Sequence, residues 1–330
     1  MHQQITLQDI ADYCGLSKST VAKVISNPQN TKVRPVTVSK VLAAAKKLNY
    51  TTNFAAKMLR TQRSNTIGVI FPNVNSFYRE LVTHLDSQLA KRGYFGLFSF
   101  WDPLDKKTYL SSYKRMRDHG VDGIITNDKD ESIPDMDIPT VIYGNRLRVF
   151  DCVYPDKLDY ARRAVLHLHE MGHEKIGFIG AMHDPRFQAI CDELRRLNLE
   201  VCPEWLLQCS AYMRNGYDMM RYLLKQSKLP TAVILHSDHL AFGVIRAAEE
   251  AAIRIPEDLS ILSYDNLAES EFSNPPLTTF DQRYEYAAEQ LVDILLKRIQ
   301  NPSLSQQCIS YVMPLVERKS VKNLKTGEHK

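Results

Sequence analysis

No apolar stretch in the 330 residues approaches the roughly 18 that a membrane-crossing helix needs, and the first residues are polar. Neither a membrane protein nor a secretory signal is expected. Glutamate is missing from residues 1–63, where only Asp9 and Asp12 oppose ten Lys and Arg. That stretch carries +8 in a chain whose total is +4, so the remainder carries −4. The modest overall charge hides a basic head on a mildly acidic body. Phosphate contacts ask for such a head, although a plain solvated surface would carry the same charge.

The six cysteines, at 14, 152, 191, 202, 209 and 308, include no CxxC pair and mostly sit in apolar contexts. Buried free thiols in a reducing cytosol are expected, rather than zinc ligation or disulfides. GxGxxG, GxxxxGK[ST], HExxH and GxSxG are all absent, and Gly177-x-x-Gly180 has no third glycine. His167 and His169 stand two residues apart, on different faces of a helix, which is poor spacing for a metal shared with His173. An enzyme, a cofactor and a metal site are not expected.

What is present starts at residues 6–26. Thr6 can cap a helix, with Asp9 in the capping-box position, and Ile10, Ala11 and Cys14 form its apolar stripe. Gly15 stands where a left-handed turn residue is needed. Ser17 caps a second helix whose Val21, Val24 and Ile25 face inward. Lys18, Ser19, Ala22 and Lys23 are left on the opposite face, short, polar and cationic, a surface suited to the major groove. This is a helix-turn-helix pattern. After Asn27-Pro28 and a polar loop, Pro35 opens a third helix with Val38, Val41, Leu42, Ala45 and Leu48 on one face.

Residues 53–60, capped by Asn53, are too short to be stable as an isolated helix. They read either as a plain linker helix or as a segment that orders only when held. Small Ala55 and Ala56 beside Leu59 and Arg60 provide a slim face, a wedge and a cation, the parts of a minor-groove element. From residue 65 strands and helices alternate: strands over 67–71, 94–100, 122–126, 139–143, 175–179, 232–235, 259–263 and 309–312, and helices over 77–91, 106–118, 159–171, 186–197, 216–226, 240–252 and 284–299. Such alternation means parallel sheets covered on both faces, and some 265 residues suit two lobes better than one.

T-L-x-D-I-A-x-Y-x-G-L-S-x-x-T-V-A-K-V from Thr6, L-N-Y-x-x-N-x-A-A-x-x-L from Leu48 and I-G-V-I from Ile67 resemble the lac repressor family of bacterial transcription regulators. The likeness continues through M-G-H-E-K-I-G-F-I-G (171–180), S-D-H-L-A-F-G (237–243), L-S-I-L-S-Y-D-N (259–266) and P-P-L-T-T-F (275–280). The resemblance implies a small all-α helix-turn-helix head (1–51), a hinge helix and linker (52–64) and an α/β two-lobed periplasmic-binding-protein-like core with parallel sheets (65–330). Its N-lobe would comprise about 65–153 and 281–312, and its C-lobe about 154–280 and 313–320. It further implies a cytoplasmic, nucleoid-associated homodimer or higher assembly on a double-stranded palindromic operator, acting as a repressor under a small-molecule effector, a sugar or sugar derivative.

On this resemblance Lys18, Ser19 and Lys23 read bases, with Thr6, Ser17, Thr20, Ala22 and Asn27 beside them on DNA. Asn53, Ala56, Leu59 and Arg60 engage the minor groove, Leu59 as a wedge. Effector contacts fall on Phe77, Tyr78, Arg186, Tyr212, Ser237, Asp238, Asp265 and Tyr284. For Phe77 or Tyr78 first-turn core packing is an equal alternative, and for Arg186 a surface ion pair is the bland one. The chain also departs from the family: the loop after Asn27 is one residue longer, Thr52 replaces a common proline, Pro155 stands where relatives place an Asp, and the 180–186 segment is shorter. A sugar-transport receptor and a sugar-modifying enzyme are the alternatives from other classes. The basic head opposes the first, and a turnover assay discriminates the second.

Overall fold

A computed structural model of the chain describes residues 5–26, 31–50, 63–73, 75–127, 138–147 and 149–325, with the side chains of 75–77 outside that description. The expected contacts of Asn27, Asn53, Ala56, Leu59 and Arg60 lie outside the described residues. The chain divides into two compact units, Met1–Ser64 and Asn65–Lys330.

In the first unit, α1 (Leu7–Cys14) begins with a complete capping box: Thr6 Oγ1 accepts from the Asp9 amide, and the Asp9 carboxylate accepts from the Thr6 amide at 2.7 Å. The bond from that amide, then the one from the Thr6 hydroxyl, hold the Asp9 carboxyl below its usual range. Gly15 ends the helix at φ 65°, in the left-handed region a side chain would strain. α2 (Lys18–Ser26) follows, with the Ser17 hydroxyl accepting from the Thr20 amide at 3.2 Å. α3 (Pro35–Lys47) closes the bundle over Ile10, Ala11, Cys14, Val21 and Val24 with Val41 and Ala44. Leu42, expected inside, is 40% exposed; the apolar stripe is narrower than the sequence pattern implies, and Ala44 takes the inward place.

The second unit holds two six-stranded sheets. One contains β1 (Thr66–Pro72), β2 (Phe95–Trp101), β3 (Gly123–Thr126), β4 (Thr140–Tyr143), β5 (Asp151–Pro155) and β11 (Cys308–Tyr311), in the order β11-β5-β4-β3-β1-β2, all parallel. The other contains β6 (Ile176–Gly180), β7 (Leu206–Gln208), β8 (Ala232–Leu235), β9 (Ser260–Asp265), β10 (Thr278–Asp281) and β12 (Leu315–Val316), ordered β12-β10-β9-β8-β6-β7, parallel except for β12. The inner strands are buried along their length, which is why they read as continuous apolar runs. The strands β5, β7, β10 and β12 were not anticipated. They are two to five residues long, and β5, β7 and β10 carry polar or proline residues, so little apolar periodicity registers.

Helices α4 (Asn75–Lys91), α5 (Lys106–Asp118) and α11 (Tyr284–Gln300) pack on the first sheet, α11 against α4, β3, β4 and β5. Helices α6 (Lys157–Glu170), α7 (Pro185–Arg196), α8 (Met213–Leu223), α9 (Asp238–Glu250) and the short α10 (Ala268–Phe272) belong with the second. Among the described residues the chain crosses between the sheets three times, after β5, after β10 and after β11. Five of the six cysteines are buried free thiols; Cys308, on the edge strand β11, is exposed.

α8 and α9 touch backbone to backbone. A methyl at Gly243 would overlap the Met213 carbonyl oxygen and lie 2.7 Å from the Tyr217 nitrogen. Neither atom can move without breaking a helix. Gly243→Ala is expected to lower the core's unfolding free energy by about 1–3 kcal/mol, as overpacking does, read as a fall in the urea midpoint at unchanged slope.

Candidate functional site

On the head, Lys18, Ser19 and Lys23 are exposed, and Thr20 and Ala22 are half-exposed on the face of α2 opposite Val21 and Val24. The hydroxyls of Ser17 and Thr20 lie 2.8 Å apart and already engage one another. Thr6 likewise spends its hydroxyl in the α1 cap, bonded to Asp9 at 2.8 Å. The face therefore offers two flexible ammonium groups and one short hydroxyl, with little bulk between them. Lys47 adds a further cation, stacked 5.4 Å over the exposed Tyr13 ring.

In the core, a cavity of about 430 Å³ opens where the carboxyl ends of both sheets meet. Asn127 follows β3, Gly144 and Asn145 follow β4, Pro155 ends β5, His236 and Ser237 follow β8, Asp265 ends β9 and Gln282 follows β10. Tyr78, Tyr143 and Tyr160 supply aromatic walls. Asn127 Nδ2 donates to Tyr78 Oη at 2.9 Å, and burial pushes the Tyr78 phenol up to about 12, so it stays neutral.

One side of the cleft is cationic. Arg186, in the first turn of α7, is nearly buried and grips Asp184 with Nε at 3.0 Å and Nη2 at 3.2 Å. Its Nη1 donates to the His236 carbonyl at 3.2 Å, its Nη2 also meets the His236 ring, and its guanidinium lies 5.3 Å over the Tyr264 ring. Burial works against the Asp184 charge, but the guanidinium outweighs it and holds that carboxyl far below its usual range. Burial, then the Arg186 charge, depress His236, which is neutral near pH 7. Lys157 and His183 complete this side.

The other side is short of donors. Gln282 Nε2 donates to Asp265 Oδ1 at 3.0 Å, yet Asp265 Oδ2, Gln282 Oε1 and Asn127 Oδ1 are buried and find no hydrogen-bond partner among the described residues. Asp265 also holds φ at 125°, a conformation that costs a non-glycine residue about 1–3 kcal/mol. An unpartnered buried oxygen and a strained backbone thus coincide at Asp265.

Of the residues singled out from sequence, Tyr78, Arg186, Ser237 and Asp265 line this cleft. Phe77 is placed only by its backbone, in the first turn of α4. Three others differ from expectation. Tyr212 precedes α8 with its side chain 47% exposed, and the cleft is lined by its neighbour Ala211. Asp238 has no exposed surface; it accepts from the Leu267 amide, Ser270 Oγ and Thr279 Oγ1 at 2.9, 2.6 and 2.7 Å and braces the cleft from behind. Tyr284 is 5% exposed and packs beneath the lining rather than in it. Nor is Arg186 in a surface ion pair: its partner Asp184 shares its burial.

Sequence reasoning passed over Asn127, Tyr143, Lys157, Tyr160, His183, Asp184, His236 and Gln282. For Asn127 and His236 a signal existed, the first polar residue after a buried strand. Gln282 had none, because β10 itself was not recognised.

Comparison with known proteins agrees with both halves. Residues 6–53 match the family described as bacterial regulatory proteins, lacI family, and residues 165–321 match the periplasmic binding protein-like domain. The HTH-type transcriptional repressors PurR of Haemophilus influenzae and of Mannheimia succiniciproducens are each 31% identical to the chain, over 97% of it and 99% of their own length. Among solved structures, the lac repressor dimer bound to operator and the anti-inducer ONPF superposes with a TM-score of 0.85 at 25% identity, over 97% of this chain and 100% of that one. A LacI family regulator of Enterococcus faecium with bound ribose gives 0.68 at 26% identity, over 78% of this chain and 99% of that one.

A basic helix-turn-helix head and a two-lobed core with a polar cleft define a DNA-binding transcription regulator rather than an enzyme. The chain belongs to the lacI family of bacterial regulatory proteins.

The acids of the cleft make a pH signature. Burial raises the Asp238 carboxyl to about 6, and burial followed by the Asp238 charge raises Asp265 well above its usual range. Each binds its proton more tightly folded than unfolded, so its stabilisation is complete below the unfolded value near 3.8 and is lost as pH rises through the folded one. Asp184 acts oppositely, its contribution disappearing only as pH falls below the ordinary carboxylate range. Relative to the wild type, Asp265→Asn should gain in urea midpoint from about pH 4 to about pH 7, because the variant has no buried acid to ionise. Parallel midpoint profiles for the two proteins would refute the raised carboxyl.

Proposed function

We propose that the protein is a transcriptional repressor that binds a palindromic operator as a homodimer or higher assembly, and that a sugar or sugar derivative in the core cleft controls that binding. The observation that carries this reading is the outward face of α2, where Lys18, Ser19 and Lys23 stand exposed on a head with a charge of +8. Such a face delivers ammonium donors to guanine acceptors, while the surrounding cations add the sequence-independent phosphate term. Support for repression comes from the PurR relatives, named as repressors, and for dimeric operator binding from the lac repressor complex. A cytoplasmic location follows from the same reading.

For the effector, the support is the donor–acceptor balance of the cleft. Gln282 Oε1 and Asn127 Oδ1 call for a ligand with hydroxyl or N–H donors, and the raised Asp265 carboxyl can itself donate through Oδ2 to a hydroxyl oxygen. Tyr78, Tyr143 and Tyr160 give such a ligand an apolar face, and Arg186 with Lys157 gives it cationic partners. A polyol meets all three demands. The ribose-bound relative supports the same class. Closing the lobes on the ligand would bias the head-bearing strand β1, coupling the two sites reciprocally.

The test is fluorescence anisotropy with palindromic duplexes selected from a randomised pool, at two salt concentrations. Wild-type affinity should fall steeply with salt, and Lys18→Ala should weaken the selected site by ten- to a hundredfold, about 1–3 kcal/mol. A panel of sugars, sugar phosphates and nucleobases then identifies the effector. Asp265→Asn should keep DNA affinity and lose the response. Salt-insensitive binding, or a selected pool no tighter than random DNA, would sink the regulator reading; a response to nucleobases alone would replace the sugar.

A further inference from the structure

We propose that Cys152 and Cys308 form a reversible dithiol–disulfide site that reacts with small disulfides of the glutathione class. The two residues are register partners in the parallel pair β5–β11, and their sulfurs lie 2.7 Å apart. The pair joins opposite environments: Cys308 is exposed on the edge strand, and Cys152 is wholly buried behind it. The other four cysteines, at 14, 191, 202 and 209, are buried. A small reagent therefore meets Cys308 first, with a second sulfur already in reach.

The order of attack follows from that placement. Burial, then the neighbouring Cys308 sulfur, push the Cys152 thiol up to about 12, with the nearby Arg146 charge partly opposing them. Cys308, as thiolate, attacks one sulfur of oxidised glutathione; a mixed disulfide forms and one glutathione thiolate leaves. The Cys152 thiol then surrenders its proton and attacks the Cys308 sulfur, expelling the second glutathione thiolate, which takes that proton. The protein dithiol is oxidised by two electrons and one glutathione disulfide is reduced to two thiols.

The bond would fall at a sensitive place. β5 and β11 each leave the first sheet for the second just beyond the pair, at Pro155 and Tyr311. A covalent tie here joins two of the three connections between the lobes, close to where each departs. It also protects the outermost strand of the sheet from fraying.

The experiment treats the purified full-length protein with oxidised glutathione, alkylates remaining thiols and measures intact mass and peptide maps. The wild type should lose two hydrogens, retain no glutathione and yield a peptide linking 152 with 308, all reversed by dithiothreitol. Cys152→Ser should instead stop at a stable single glutathione adduct on Cys308, and Cys308→Ser should stay unmodified under the same conditions. The oxidised wild type should melt several degrees above the reduced form, a difference absent in Cys308→Ser. A wild type that stays reduced, stops at the adduct or links another pair overturns the site, and identical melting of the oxidised and reduced forms overturns the tie.

Discussion

Behind the cleft sits a carboxylate with no access to water. Asp238 opens α9 and collects donors from the Leu267 amide, Ser270 and Thr279, so one side chain fixes the loop after β8, the short helix after β9 and the strand β10. Three donors converge on one acceptor group. Losing that group would leave several buried hydrogen-bonding groups unpaired, at about 1–3 kcal/mol each. The same charge acts through space on Asp265, which burial has already biased toward its neutral form. Asp238 thus braces the cleft from behind, while its neighbour Asp265 lines it.

That division explains the shape of the cleft. Arg186 is neutralised by Asp184 and pinned by the His236 carbonyl, so the cation is fixed in direction before any ligand arrives. Fixing it removes part of the ordering cost that a binder otherwise meets on association. Asp265, by contrast, is held in a strained backbone conformation with one oxygen unfilled. Rigidity on one side and unfilled acceptors on the other describe a site that gains more from a correctly shaped donor-rich molecule than from water.

The head works on a separate principle. Among the described residues its core is seven buried side chains, only small or branched aliphatics and one cysteine, and caps add order that so small an area does not supply. The Thr6–Asp9 box starts α1 and the left-handed Gly15 ends it, and burial of Val21 and Val24 in the bundle leaves Lys18, Ser19 and Lys23 of α2 outward.

Much of this was legible in the chain itself. The capping box, the Gly15 turn, the inward Val21 and Val24 and the alternation of strands and helices are local patterns, and local patterns survive in one dimension because caps and periodicities involve residues three or four apart. The missing Glu in the head was visible for the same reason. Tertiary structure decided what no spacing encodes. It took Asp238 and Tyr284 out of the cleft and brought Asn127, His236 and Gln282 into it, since cleft membership depends on where strands from both sheets end together. It set Cys152 against Cys308, 156 residues apart in the chain, because two short strands share an edge. Sequence determined the head's helices, its basic face and most of the alternating strands and helices; only packing placed the short strands β5, β7, β10 and β12 and, by choosing which polar groups lose their water, decided which of them line the cleft.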